Sequence, residues 1–126
     1  MEHNMVGWFE IPVTDMDRAR KFYESVFDIK IHLEDFNELK MGWFPWAEGK
    51  PGAAGSLVLH KDWYQPSDSL GPLLYFSSED VQYHIDKIER AGGKVLQPKT
   101  LIKEDIGYMG VFIDTEGNRI ALHSRE

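Results

Sequence analysis

Two histidines stand at matching places in this chain. Leu57-Val58-Leu59-His60 and Ile120-Ala121-Leu122-His123 share one pattern, and each closes one copy of a longer repeat. Histidine changes charge near neutral pH, so a related pair suits proton transfer. Joined by one carboxylate, the pair has the composition of a two-histidine, one-carboxylate iron(II) centre. Glu10 is the candidate carboxylate, and the repeat matches it to Tyr75. The aromatic residues point to another chemistry. Trp43, Phe44, Trp46, Trp63 and Tyr64 gather in stretches read as loops, and Trp8 lies two residues before Glu10. Aromatic faces stack on planar or cationic groups, and a nearby carboxylate favours a positive one. Simpler readings stay open: the polar residues can line a wet cavity unreactively, and the aromatics can be core or dimer contacts. His3, His32 and His84 have no partner pattern and are read as structural.

The elements that must position these residues come in two copies, about 65 residues apart. The first copy opens with WFEIPVTDMDRARKFYESVFDIKI and the second with LLYFSSEDVQYHIDKIERAGGKVL. Period-two alternation over Met5 to Val13 predicts a strand with Phe9, Ile11 and Val13 on the helix-packing side and Trp8, Glu10 and Pro12 opposite. Thr14 or Asp15 is the expected cap of a helix whose core stripe is Met16, Ala19, Phe22, Tyr23, Val26 and Phe27. Strands are expected at Ile29 to Leu33, around Met41, and at Ala53 to His60, with Gly49 to Gly52 as a turn. In the second copy a strand at Leu73 to Ser77 leads to a helix started by Ser78 or Asp80, buried through Val81, Ile85 and Ile88 and stopped at Gly92-Gly93. Lys94 to Gln97 reads as a strand before Pro98, Thr100 to Ile106 as an exposed loop, and Gly107 to Ile113 with Arg119 to Ser124 as a hairpin. The chain therefore divides into module one (5–60), a linker rich in proline, serine and aspartate (61–71) and module two (72–124), within a single domain over 1–126.

Composition removes several function classes. The net charge of −7 argues against nucleic acid, which needs a basic face. No apolar run approaches the ~20 residues of a membrane span, and the N-terminus shows no charged-then-apolar leader. The absence of cysteine excludes disulfides, thiolate metal sites and a cysteine nucleophile, so a cytoplasmic location is expected. No nucleophile-elbow serine or glycine-rich phosphate loop supports hydrolase or nucleotide chemistry.

FEIPVTDMDRARKFYESVF in the first half, and AGGKV with FIDTEGNRIAL in the second, resemble the vicinal oxygen chelate superfamily. That group includes glyoxalase I, extradiol dioxygenases, fosfomycin-resistance enzymes and bleomycin-resistance proteins. The resemblance implies an α+β fold of two βαβββ modules, with curved mixed sheets around a cleft and helices outside, and it implies frequent homodimers. Its metal-dependent members carry one ligand on the first and last strand of each module. Carried over one at a time, those positions fall on Trp8, Val58, Leu73 and Ala121, none of which coordinates a divalent ion. Residues two along share the same strand face: Glu10, His60, Tyr75 and His123.

These residues lead to an expected function. A small aromatic or cationic molecule would be captured between the modules without a metal or other cofactor, with Trp8, Glu10, Trp43, His60, Tyr75 and His123 as ligand-binding residues. Arg119 shares the strand parity of Ala121 and could meet an anionic group. The alternative is a metal-dependent lyase, isomerase or dioxygenase with a displaced site on Glu10, His60 and His123. A third option is a scaffold acting through its dimer surface.

Overall fold

The computed structural model describes residues 3–126, in which each half runs strand, helix and three strands. The first module comprises β1 (Trp8–Pro12), α1 (Met16–Phe27), β2 (His32–Phe36), β3 (Leu39–Trp43) and β4 (Ala54–Leu59). The second comprises β5 (Tyr75–Ser77), α2 (Val81–Ile88), β6 (Lys94–Lys103), β7 (Gly107–Ile113) and β8 (Arg119–Ser124). Each makes a four-stranded mixed sheet, ordered β1-β4-β3-β2 and β5-β8-β7-β6. This is the expected α+β pair of βαβββ modules, with no closed barrel.

Alternation decides which side chains each sheet hides. Ile11 and Val13 are almost fully buried in the core and Phe9 packs against it, so Trp8 and Glu10 point to the opposite face. Helix α1 starts where the Asp15 carboxylate accepts the Arg18 amide at 3.0 Å, and ends at Asp28, whose φ is 55°. Its buried side chains are Ala19, Phe22, Tyr23 and Val26. In α2 the Asp80 carboxylate accepts the Gln82 amide, and Val81, Ile85 and Ile88 are buried.

The modules share one core. Helices α1 and α2 touch, and Phe76 of β5 lies 5.2 Å from Phe27, 5.7 Å from Phe9 and 6.0 Å from Tyr23, centroid to centroid. Ring pairs in this range are favourably spaced. The two sheets do not join, so β1 and β5 are each an edge strand of its own sheet.

The turn between β7 and β8 fastens one module to the other. The Glu116 carboxylate accepts the amides of Thr14 and Asp15, each at 2.8 Å, and Arg18 Nε at 2.7 Å. Tyr23 donates its hydroxyl to Asp114 at 2.7 Å, and Asn118 Nδ2 donates to the Pro12 carbonyl at 2.7 Å. Burial alone would raise the pKa of Glu116, but Arg18, the two amides and the Thr115 hydroxyl outweigh it and hold the carboxyl at about 2. Burial wins at Asp114, which is raised despite its donors, and burial beside that carboxylate pushes the Tyr23 phenol well above its usual range. The sequence marks these residues only as a turn.

Several strand bounds differ from expectation: β1 begins at Trp8 and not Met5, β5 at Tyr75 and not Leu73, and two further differences have a visible cause. The segment expected as strand at Ile29 to Leu33 begins pairing only at His32, because Ile29 N donates to the Glu24 carbonyl and Ile31 N to the Glu24 carboxylate. The residues after α1 are thus tied back to the helix. The expected exposed loop at Thr100 to Ile106 is strand as far as Lys103, and β6 runs straight through Pro98. β6 is an outer strand, so a missing amide there need cost no ladder bond, and its register shifts on both sides of Pro98.

Candidate functional site

A cavity of about 450 Å³ lies between the modules. Trp8, Glu10 and Pro12 of β1 form one wall, Ser67 to Gly71 of the linker another, and Pro72 with Asn118 to Ile120 the end contributed by module two. The linker is held there because Arg119 N donates to the Ser67 carbonyl and Ser67 N to Asn118 Oδ1. Within this wall Trp8 Nε1 donates to Glu10 Oε2 at 3.2 Å, and Tyr64 donates its hydroxyl to Glu10 Oε1 at 2.5 Å. Hydrogen bonding to Glu10 raises the Tyr64 pKa, which keeps the phenol protonated as a donor. The result is a carboxylate fixed in place beside an indole, with Arg119 lining the same space.

The other expected site residues lie elsewhere. Tyr75, 52% exposed, lines a second cavity of about 590 Å³ between the β3–β4 connection and β5. Val6, Phe9 and Leu74 line both cavities and so separate them. Trp43 shares a sheet row with Glu10 and Ser56 but lines neither cavity; its Nε1 is buried without a partner. The His60 ring stacks on Trp63 at 4.8 Å, and its Nδ1 accepts the Asp62 amide. His123 Nε2 lies 2.7 Å from the Ile106 carbonyl and must donate to it, because a carbonyl only accepts. The structure therefore brings together Trp8 and Glu10, and adds Tyr64 and Arg119. It does not bring Trp43, His60, Tyr75 or His123 to them.

The metal that the resemblance implies does not fit these side chains. Val58 and Ala121 are fully buried hydrocarbon, and Trp8 offers only an indole N–H. Among the described residues no three histidine, aspartate or glutamate side chains converge as a metal centre requires. Glu10, His60 and His123 are thus not assembled into a displaced site within the chain.

Sequence reasoning missed the linker as a site wall. The signal was Tyr64, counted among the loop aromatics, but its partner Glu10 is 54 residues away. The linker's prolines marked a tether and gave no direction.

Comparisons with known proteins agree with the architecture. A glyoxylase-like domain-containing protein of Didymella fabae is 27% identical over 127 residues, covering 98% of this chain and 95% of that protein. Among solved structures, a glyoxylase/bleomycin resistance protein/dioxygenase domain from Frankia sp. EAN1pec superposes with a TM-score of 0.74 at 17% identity, covering 96% of this chain and 97% of the other. Glyoxalase I from Zea mays superposes with a TM-score of 0.70 at 17% identity over 94% of this chain, which spans only 45% of the maize chain. At such identities the structural likeness concerns the fold alone. No helix among the described residues is long and apolar enough to cross a membrane. Residues 5–122 match the family described as the Glyoxalase/Bleomycin resistance protein/Dioxygenase superfamily, and the chain belongs to that superfamily.

Proposed function

We propose that this chain binds a small aromatic or cationic molecule in the cavity beside Trp8, without a metal taking part. One observation carries the reading: the Glu10 carboxylate is hydrogen-bonded to the Trp8 indole on the wall of an inter-module cavity of about 450 Å³. That volume suits a small ligand. The indole gives a face for a ring or an alkylammonium group, and Glu10 keeps an acceptor beside it. Arg119 on the same cavity complements an anionic substituent, so a zwitterion engages both ends. The chain's charge of −7 favours approach of a cation.

A homodimer belongs to the same reading. Trp8 is 45% exposed, on a sheet face turned from the helices, where a second copy can cover it. Sedimentation at micromolar concentration should then give twice 14.6 kDa.

Calorimetric titration with benzyltrimethylammonium in excess chelator tests the binding. Saturable heat is expected, weakened about tenfold or more by Trp8→Ala and by Glu10→Gln. If chelator abolishes binding and a divalent ion restores it, metal independence fails. If neither substitution changes the affinity, the site has been placed wrongly.

A further inference from the structure

The pseudo-symmetry of the modules is broken in the connection before each last strand, and there the break leaves a cavity. In module two the turn of residues 114–118 closes onto the end of β1 and the start of α1 through Glu116 and Asn118. The matching connection in module one, residues 44–53, is longer and faces the end of β5. Among the described residues no hydrogen bond joins that connection to residues 74–80, and a cavity of about 590 Å³ lies between them. Where one half has a carboxylate clasp, the other has open space.

We propose that this space is a second binding site, distinct from the Trp8–Glu10 cavity, for an uncharged aromatic molecule carrying one polar substituent. The lining contains no charged side chain, so nothing there offsets the desolvation of an ion. Its walls are rings already set at favourable angles: Phe44 and Phe76 lie 5.5 Å apart at 88°, and Phe9 lies 5.7 Å from each. A further flat ring extends an edge-to-face cluster of this kind better than an alkyl chain does. Gly55 helps to keep the floor open. A Cβ there would lie 2.3 Å from the Phe9 ring, so glycine allows the ring to lie against β4 and out of the cavity. The polar groups of the lining are exposed: Tyr75 and Ser77 supply hydroxyls for the ligand's single polar substituent.

The test uses 2-naphthol titrated into ¹⁵N-labelled full chain. Saturable amide shifts are expected at Gly52, Gly55 and Phe76, with a dissociation constant below about 1 mM. Ala53→Trp, which fills the cavity from the connection, should weaken binding at least tenfold. Leu101→Trp, which adds the same bulk on exposed β6, should leave it unchanged. If Ala53→Trp loses its circular-dichroism signal, Ala47→Trp on the exposed part of the same connection replaces it, with the same weakening expected. Shifts centred on Trp8 and Glu10, or no saturation, would overturn the second site. Saturable binding of 1-octanol in its place, with 2-naphthol inert, would overturn the aromatic class.

Discussion

Glu116 shows how much one side chain can do outside any chemistry of binding. Its side chain is fully inaccessible to solvent while its partner Arg18 is half exposed, and it ties the second module to the start of α1. Its carboxyl titrates near 2 when folded, against an ordinary 4.5. A depressed carboxylate stabilises the fold above its ordinary value, and that contribution is lost as pH falls from about 4.5 towards 2. Glu116→Gln should therefore cost roughly 2 kcal/mol at pH 7, a figure reduced from the full shift because Arg18 reaches solvent. The gap between the two proteins in urea unfolding should narrow below pH 4.5; a constant gap down to pH 3 would contradict the pKa assigned to the folded state. Asp114 acts in the opposite sense, since a raised carboxyl gains folding free energy as it protonates, but it is common to both proteins and largely cancels. Tyr23→Phe removes the buried donor to Asp114 and should lower stability by about 1–2 kcal/mol in the same measurement.

At the scale of elements, two backbone positions separate tolerance from strain. Gly93 lies just before β6, where a Cβ would sit 2.6 Å from the Ile113 carbonyl oxygen and 2.7 Å from the Phe22 ring. Backbone cannot yield as a side-chain tip can, so Gly93→Ala should destabilise by at least about 2 kcal/mol, read as a fall in Tm. Pro98 is the opposite case. It lies within β6, but β6 is an outer strand of its sheet, so Pro98→Ala should change stability by less than about 1 kcal/mol. A large loss there would mean that the proline braces the strand. The same edge position explains why the sequence misleads at β6: proline reads as a strand stop unless the strand's place in the sheet is known.

Over the whole molecule, neither half contains a complete core. Phe76 of module two packs among Phe9, Tyr23 and Phe27 of module one, and Asp114 and Glu116 are satisfied by groups from α1. Residues 5–60 or 72–124 made alone should lack cooperative unfolding, and mixing them should restore it; a cooperative transition in either alone would refute a shared core. The repeat, the alternation at Phe9 and Ile11, the stripes of α1 and α2 and the hairpin from Gly107 to Ser124 were all legible from the chain. Each depends on neighbours within a few residues, where period and capping govern. The pairing of Glu10 with Trp8 was within reach for the same reason. The approach of Tyr64, the linker wall, the inter-module hold of Glu116 and the separation of His60 from His123 were not. Those depend on how two modules pack. The sequence alone therefore determined the local elements and their duplication, because backbone periodicity is a short-range property. Only the tertiary structure decided which side chains share a cavity, because that is set by packing between residues far apart in the chain.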